Sequence, residues 1–468
     1  MDPLNPTAQL LLPEVGELIR EGRYGELREA LHGIPAVDVA DILAALEPAE
    51  AAVAFRFLMR DDAGEAFAYL SAEKQEALIR ELGAEASVRV VEAMEPDDRA
   101  RLIEELPPEV ARRLISSLSP EKRRVTQAIL GYPPKSVGRL MTPDYVKVRP
   151  EWTIAHALEH IRKTGRDAET VNFVYVVDDQ GRLVDDVRLR QLLFAEPEQT
   201  VESLLKRQFV ALRADQDQEA AVRAMSRYDR SVLPVVDSRD VLLGIVTSDD
   251  VADVAEAEAT EDIQKLAGMG ALEDPYMDAR ILELFRKRGV WLSLLFVGQS
   301  ITILVLGAFI DQLGKAVVLA MFMPLVISCG GNSGAQAATL VIRALALGEV
   351  RPVDWVRVVS KELVSGALLG MALAVLGVLI VEFFSLIGVV PAEVRPHSLW
   401  LGITVATAVL TVVIWGTTLG GLLPLALRRL GFDPAAASTP MVATLMDASG
   451  TLIYFGLAVL MLRGTVIV

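Results

Sequence analysis

The stretch PLVISCGGNSGAQAATLVIRALAL, Pro324 to Leu347, decides what kind of molecule this is. With the residues just before it, it forms a run from about 317 to 342 with no charged side chain. Roughly 20 such residues cross about 30 Å of hydrocarbon as a helix. Four more stretches have this character, at about 291–310, 363–386, 399–427 and 439–462. Five spans, an odd number, put the two ends of the chain on opposite sides. Inside the first-quoted stretch, Pro324, Gly330, Gly331 and Gly334 weaken a helix, which is tolerated at membrane depth only against protein or a water-filled path. Freed carbonyls and the amides of Asn332 and Gln336 would then line that path. Close helix packing through small residues accounts for the glycines equally well. A phosphate loop is excluded, because the glycine spacing lacks G-x-G-x-x-G, no Lys follows and no strand precedes.

Orientation follows from the basic residues. Arg286, Lys287 and Arg288 precede the first span, Arg343, Arg351, Arg357 and Lys361 separate the second from the third, and Arg428 and Arg429 separate the fourth from the fifth. The other two loops hold only Lys315 and Arg395. All basic clusters therefore lie on the face that carries the remainder of the chain. That face is expected to be cytoplasmic, with the C-terminus outside. The first basic residue, Arg20, follows the short apolar run Leu10–Leu12, so no cleavable signal is expected. A cell (inner) membrane location results.

Charge is divided as unevenly as hydropathy. Of 62 acidic and 46 basic residues, 54 and 37 lie in residues 1–288, so the net −16 splits into −17 and +1. This excludes an ordinary soluble enzyme and makes nucleic acid an unsuitable partner for the anionic half. The single cysteine, Cys329, cannot form an intrachain disulfide.

Residues 1–130 repeat every 24 positions, the mark of an array of small units. Leu46, Leu70, Met94 and Leu118 each open a polar turn, and Ile34, Leu58, Leu82 and Leu106 stand halfway between them. Each unit reads as two short helices, with Ser, Glu or Asp near the start to satisfy free N–H groups. The result is an all-α superhelix. After Gly131, Pro133 and Pro134, short β-runs alternate with helices in two copies. The first holds LMTPDYVKV and VNFVYVVDDQGRLV; the second holds LLKRQFVAL and SVLPVVDSRDVLLGIVTSDDVADV. The order β-α-β-β-α resembles a tandem pair of CBS domains, over 131–200 and 201–256. The first copy departs from the pattern in having Asp185 and Asp186 after Val184, where a Gly is usual. An acidic connecting helix and linker follow over 257–288, then a five-helix transmembrane domain over 289–468. The expected fold class is thus multidomain: an all-α superhelical N-terminal domain, an α/β tandem pair and an all-α transmembrane domain.

Ionisable residues inside spans are costly and default to functional candidates. Asp447, in TPMVATLMDASGTLIY, lies eight residues past Thr439, about 12 Å into its helix. The next basic residue, Arg463, is about 24 Å further along, too far for a pair, and the alternative is a carboxyl that is protonated or hydrogen-bonded to a neighbouring helix. Glu382, near the outer end of the third span, reads as interfacial. His156 and His160, four apart on a helix without a third ligand, read as surface histidines. No nucleophile–base pair or nucleotide-triphosphate loop supports an enzyme.

Taken together, the superhelix, tandem CBS pair, acidic helix, five spans, CGGNSGAQ in the second span and DPAAASTPMVATLMD (Asp433 to Asp447) in the fifth resemble the MgtE family of magnesium channels. The resemblance implies a homodimer enclosing one pore between second and fifth helices, with Asp447 of both subunits facing hydrated magnesium. Pro324, Gly330, Gly331, Asn332, Gly334, Gln336, Thr439, Pro440, Ala443 and Thr444 would line it. Thr439 stands where the family can have Asn, a weaker polar lining. The resemblance also implies a cytosolic magnesium sensor built from Asp97, Asp217, Glu219, Asp229, Asp250, Asp253, Glu258, Glu261 and Asp262. Bound magnesium would hold the connecting helices shut, and its loss would let the pore open. A nucleotide such as ATP at the CBS pair is a further option. Physical chemistry agrees with the ion: magnesium takes octahedral oxygen ligands and dehydrates reluctantly, and thiolate or imidazole ligands for zinc or copper are missing apart from Cys329. Inside-negative potential supplies about 4.6 kcal/mol per 100 mV to a divalent cation, so uptake needs no ATP. Two alternatives remain: an ion-coupled divalent carrier for magnesium or cobalt, and a membrane-tethered nucleotide or metal sensor.

Overall fold

The computed structural model describes residues 6–272, 276–277, 279–310 and 317–462, with the backbone alone at residues 60, 61 and 84. The chain divides into two compact units, Met1–Glu256 and Ala257–Val468.

The first unit opens with ten helices among the described residues: α1 Pro6–Glu21, α2 Tyr24–Leu31, α3 Ala36–Ala45, α4 Pro48–Phe55, α5 Arg60–Ala68, α6 Ala72–Leu82, α7 Ala84–Ala93, α8 Pro96–Glu105, α9 Pro108–Ser117 and α10 Pro120–Leu130. From α3 onward a helix begins about every twelve residues, so the 24-residue period is two helices. Leu46, Leu70, Met94 and Leu118 are all buried in one continuous core, together with Leu82 and Leu106. The expected side-chain caps are not formed. Glu47, Ser71, Glu95 and Ser119 do occupy N-cap positions with extended backbone, but none makes a capping hydrogen bond. Three of these four helices have Pro in the first turn instead, where its missing N–H costs nothing.

Two three-stranded sheets follow. The first is β1 Tyr145–Val148, α11 Ile154–Thr164, β2 Thr170–Val177, β3 Leu183–Arg188 and α12 Leu189–Phe194. The second is β4 Leu212–Arg213, α13 Glu219–Tyr228, β5 Val232–Val236, β6 Leu242–Thr247 and α14 Ser248–Leu266. In each the first strand runs parallel to the central one and the third antiparallel. Both hairpins turn on an aspartate that accepts two backbone N–H groups. Asp178 takes those of Gln180 and Arg182, and Asp237 those of Arg239 and Val241. The two copies share a core in which Phe173, Tyr175 and Val177 meet Val232, Val236 and Ile245. Of the strand expected over LLKRQFVAL only Leu212 is in β4, which continues to Arg213. The Asp185 carboxylate accepts the N–H groups of Lys206 and Arg207, both at 2.7 Å, and Arg207 takes a positive φ of 51°, which holds the segment as a loop.

The closing helix of the second copy and the acidic connecting helix are one continuous element, α14, which carries the chain into the second unit. Among its described residues that unit holds five helices long and apolar enough to cross a membrane. They are α15 Ile281–Ala308, α16 Val317–Ala346, α17 Trp355–Leu386, α18 Ser398–Arg429 and α19 Thr439–Leu462. The first starts about ten residues before its apolar run, so its basic collar is helical. Lys315 of the orientation argument lies outside the described residues. The inmost helix is α18, whose Leu401, Val405, Ala408, Val409, Val412 and Val413 are buried. It packs against α16, α17 and α19.

Candidate ion pathway and acidic cluster

The fifth helix begins after a tight turn. Asp433 accepts the Ala435 N–H at 2.9 Å, Pro434 follows it, and Thr439 opens α19. Two turns into the helix, Asp447 is half-buried. Its Oδ2 accepts a 2.8 Å hydrogen bond from Nε2 of Gln299 on α15, and its backbone carbonyl accepts the Thr451 hydroxyl. Among the described residues no Lys, Arg or His is ion-paired with it. Arg463 lies outside the described residues. Sequence reading missed Gln299, although it is a lone amide in an apolar run.

The other expected pathway residues divide. Helix α16 is continuous through Pro324 and all three glycines, so the broken helix with freed carbonyls does not form. Gly330 and Gly334 face α18: a Cβ at Gly334 would lie 2.9 Å from the Gly416 carbonyl oxygen, and one at Gly330 would strike Val412. These are contacts of close helix packing, the second reading of those glycines. Gly331 instead turns toward α19, where a Cβ would stand 3.9 Å from Ala443 Cα. Asn332 and Gln336 are exposed, and with Ser328 and Thr339 they make a polar stripe along one side of α16. Asn332 Nδ2 donates to Ser328 Oγ at 3.4 Å. On α19, Thr439 is exposed, Thr444 donates to the Pro440 carbonyl at 2.9 Å, and Thr444 Cγ2 abuts Gly298 of α15.

Within the first unit the expected sensor residues lie on α8, around α13 and on α14. Asp217 and Glu219 sit at the start of α13, where Asp217 Oδ1 accepts the Glu219 N–H at 2.9 Å and Glu219 pairs with Arg223. Asp229 sits past the other end of this ten-residue helix, in a left-handed conformation. Asp97 and Asp250, by contrast, are brought together. Asp97 is buried, its Oδ1 has no hydrogen-bond partner, and Asp250 is the strongest like charge upon it. Asp250 also accepts the Thr247 hydroxyl at 2.7 Å. Five acids that the sequence did not single out, Glu95, Asp98, Asp144, Glu169 and Asp249, crowd around this pair. Burial first, and mutual repulsion next, push Glu95 up to about 8 and Glu169 to about 7. Asp97, Asp98, Asp144 and Asp250 are raised for the same leading reason. Asp98 and Asp253 both reach Arg101, at 2.6 and 3.7 Å. Among the described residues no three acidic, His or Cys side chains form a ready-made metal cage.

On the second unit's part of α14, Glu261 pairs with Lys265, whose Nζ also lies 2.6 Å from Asp433 Oδ2. Both carboxylates raise the Lys265 ammonium above its usual range, against the pull of burial. Glu258 and Asp262 lie on the same stretch of helix. In the first unit a cavity of about 660 Å³ is lined by Phe173, Asp186, Arg188, Arg190, Lys206 and Arg230, among others. His156 and His160 both stand edge-on to Trp152, at 4.6 and 5.0 Å between ring centroids.

Comparison with known proteins agrees with this architecture. Residues 323–457 match the MgtE profile, described as a divalent cation transporter, and residues 34–135 match the MgtE intracellular N domain. Residues 137–198 and 201–257 match the CBS domain. The magnesium transporter MgtE of Thermus thermophilus is 41% identical over 341 residues, 73% of each chain. That of Bacillus subtilis is 35% identical over 335 residues, covering 72% of this chain and 71% of its own. Among solved structures, the cytosolic domain of the Mg2+ channel MgtE in complex with ATP superimposes with a TM-score of 0.51 at 35% identity, covering 52% of this chain and all of its own. With two relatives above 30% identity over more than two thirds of their length, and with the helical repeats, both CBS copies and residues 323–457 each matched by a family model, the chain belongs to the MgtE family of magnesium transporters.

Proposed function

We propose that the chain forms a magnesium channel, as a homodimer in the cell membrane, that admits magnesium down the membrane potential and is closed by cytosolic magnesium. The observation that carries the reading is Asp447, a membrane-depth carboxylate held by a neutral amide and by no cation. A carboxylate in hydrocarbon is costly unless it is protonated, paired, hydrogen-bonded to a neighbouring helix, or faces water or a cargo cation, and one neutral amide leaves the charge of Asp447 in place. The exposed polar stripe Ser328, Asn332, Gln336 and Thr339 on α16 has the same requirement. A second copy placed about a two-fold axis satisfies it, since it turns both stripes and both Asp447 side chains toward one wet path. Carboxylate and amide oxygens suit a cation that keeps its hydration shell. Transport then needs no covalent step by the protein. The first unit lies in the cytosol on this reading, with the C-terminus outside.

The gate is assigned to the acidic cluster. Asp97, with its orphaned buried oxygen, and Asp250 offer hard oxygen donors, and Glu95, Asp98, Glu169, Asp249 and Asp253 surround them. Magnesium held there through its waters supplies the positive charge that offsets their repulsion. Without that charge the carboxylates repel one another, and the packing of the helical repeats on the CBS pair is weakened. Glu258, Glu261 and Asp262 add acidic side chains on the second unit's part of α14, while Asp217, Glu219 and Asp229 contribute field rather than a shared site. The cavity with Arg188, Arg190, Lys206 and Arg230 is cationic enough to take the phosphates of a nucleotide, as the related cytosolic domain takes ATP.

The test is current recording from the full-length protein in bilayers with magnesium varied on the side of the first unit. Expected are inward current at low magnesium, suppression at millimolar magnesium, and loss of suppression in the D97N/D250N variant. An Asp447→Ala protein with unchanged magnesium flux would refute the pathway.

A further inference from the structure

We propose that Gln299 is the positioning residue of the ion pathway: its amide orients the Asp447 carboxylate without neutralising it. The inference rests on the reading of Asp447 as the pore carboxylate. Its own grounds are the way α15 meets α19. Most of α15 is exposed or half-buried, and Gln299, itself half-buried, reaches Asp447 at 2.8 Å. One residue earlier, a Cβ at Gly298 would stand 3.4 Å from Thr444 Cγ2, so α15 packs on α19 at this turn. One turn later Thr302 is also buried, with an Oγ1 that has no hydrogen-bond partner. The polar side of this otherwise apolar helix is thus turned inward at Asp447.

The chemistry of the donor matters more than its presence. An ionised carboxylate only accepts hydrogen bonds, so the group donating to it is the Gln299 NH2, and Gln299 Oε1 remains as an additional acceptor. A guanidinium or ammonium in the same place would cancel the charge that attracts a cation. An apolar residue would leave the carboxylate free to rotate. A primary amide fixes one oxygen, leaves the other for the cargo and keeps the charge. In a site of low dielectric constant such a bond is stronger than in water.

The test uses full-length protein in liposomes, with magnesium flux followed against magnesium concentration. Gln299→Met, similar in shape but without a donor, is expected to raise the half-saturating concentration about tenfold, with maximal flux within about twofold and unchanged melting. Unchanged half-saturation in a folded Q299M protein overturns the proposal, as does a lowered melting temperature with affinity intact, which marks a structural tie between the helices. The exchange variant Q299E/D447N restores an amide–carboxylate pair and guards against misfolding of Q299M. Stable protein without flux supports positioning on α19, and recovery of wild-type affinity overturns it. Asp447→Ala separates the two layers: if it transports normally the pore reading itself falls, whereas if it is inactive while Q299M is normal only the positioning role falls.

Discussion

Asp185 and Asp186 are adjacent on one strand and take opposite parts. The Asp185 carboxylate is buried and satisfied by the N–H groups of Lys206 and Arg207, which fastens the loop before β4 at the start of the second CBS copy. Asp186 points the other way, 2.8 Å from Arg230 of the second copy, and Arg230 in turn lies 5.1 Å from the centroid of the Phe173 ring. Burial raises the Asp186 carboxyl, and Arg230 draws it back down. The Asp186 side chain is 8% exposed and that of Arg230 16%, so water screens the pair little. Removing one partner strands the other charge. Arg230→Met is therefore expected to cost about 3 kcal/mol in thermal or denaturant unfolding of the first unit within the full-length protein, and the double variant R230M/D186N to recover most of it. Equal loss in single and double variants would mean that the arginine acts by packing alone. The departure from the usual CBS pattern is thus replaced by two specific polar ties, which a one-dimensional motif cannot display.

Between elements, the second and fourth membrane helices touch backbone to backbone. A Cβ at Gly420 would collide with the Gly334 carbonyl, and one at Gly416 would strike that of Gly330. Gly420→Ala is expected to destabilise the detergent-solubilised protein by about 2–3 kcal/mol, because the obstacle is backbone and cannot rotate away. Gly456→Ala on α19, where nothing lies within 4 Å, is the matched control and should change melting by less than about 0.5 kcal/mol. A melting comparison of the two variants checks both. The same contacts show what a sequence can disclose about such elements. The apolar runs exposed all five membrane helices, and the 24-residue ladder exposed the superhelix, because burial is periodic in residue number. Whether Gly330 packs or lines a pore depends on which face of α16 meets α18, and periodicity in an evenly apolar helix carries no face. Asp447 stood out by its charge alone, but its partner Gln299 is 148 positions away and uncharged. Glu95, Asp144 and Glu169 were hidden likewise, since surface-type acids from three separate segments become a cluster only after folding.

For the whole molecule, part of the excess of acid in residues 1–288 sits where it is hardest to keep ionised. Glu95 and Glu169 have an ordinary value of 4.5, and burial among like charges raises them to about 8 and about 7. A carboxyl whose value is raised by folding favours the folded form while protonated. Its stabilising contribution is complete below about 4.5 and is lost as pH rises through 7 and 8. On the proposed reading, magnesium and protons compete for one anionic cluster, and the apparent affinity for magnesium is expected to tighten as pH rises. Limited proteolysis of the full-length protein gives the measurement. Without magnesium, cleavage within residues 1–256 should speed up between pH 6 and pH 8. Millimolar magnesium should abolish the difference at pH 8 and have little effect at pH 6, where protons already relieve the repulsion. Replacing Glu95 and Glu169 together by Gln should flatten the pH dependence while leaving part of the magnesium response, which Asp97 and Asp250 still carry. A magnesium effect of equal size at both pH values would mean that the clustered carboxylates stay ionised throughout, and that sensing depends on the exposed acids of α13 and α14 instead.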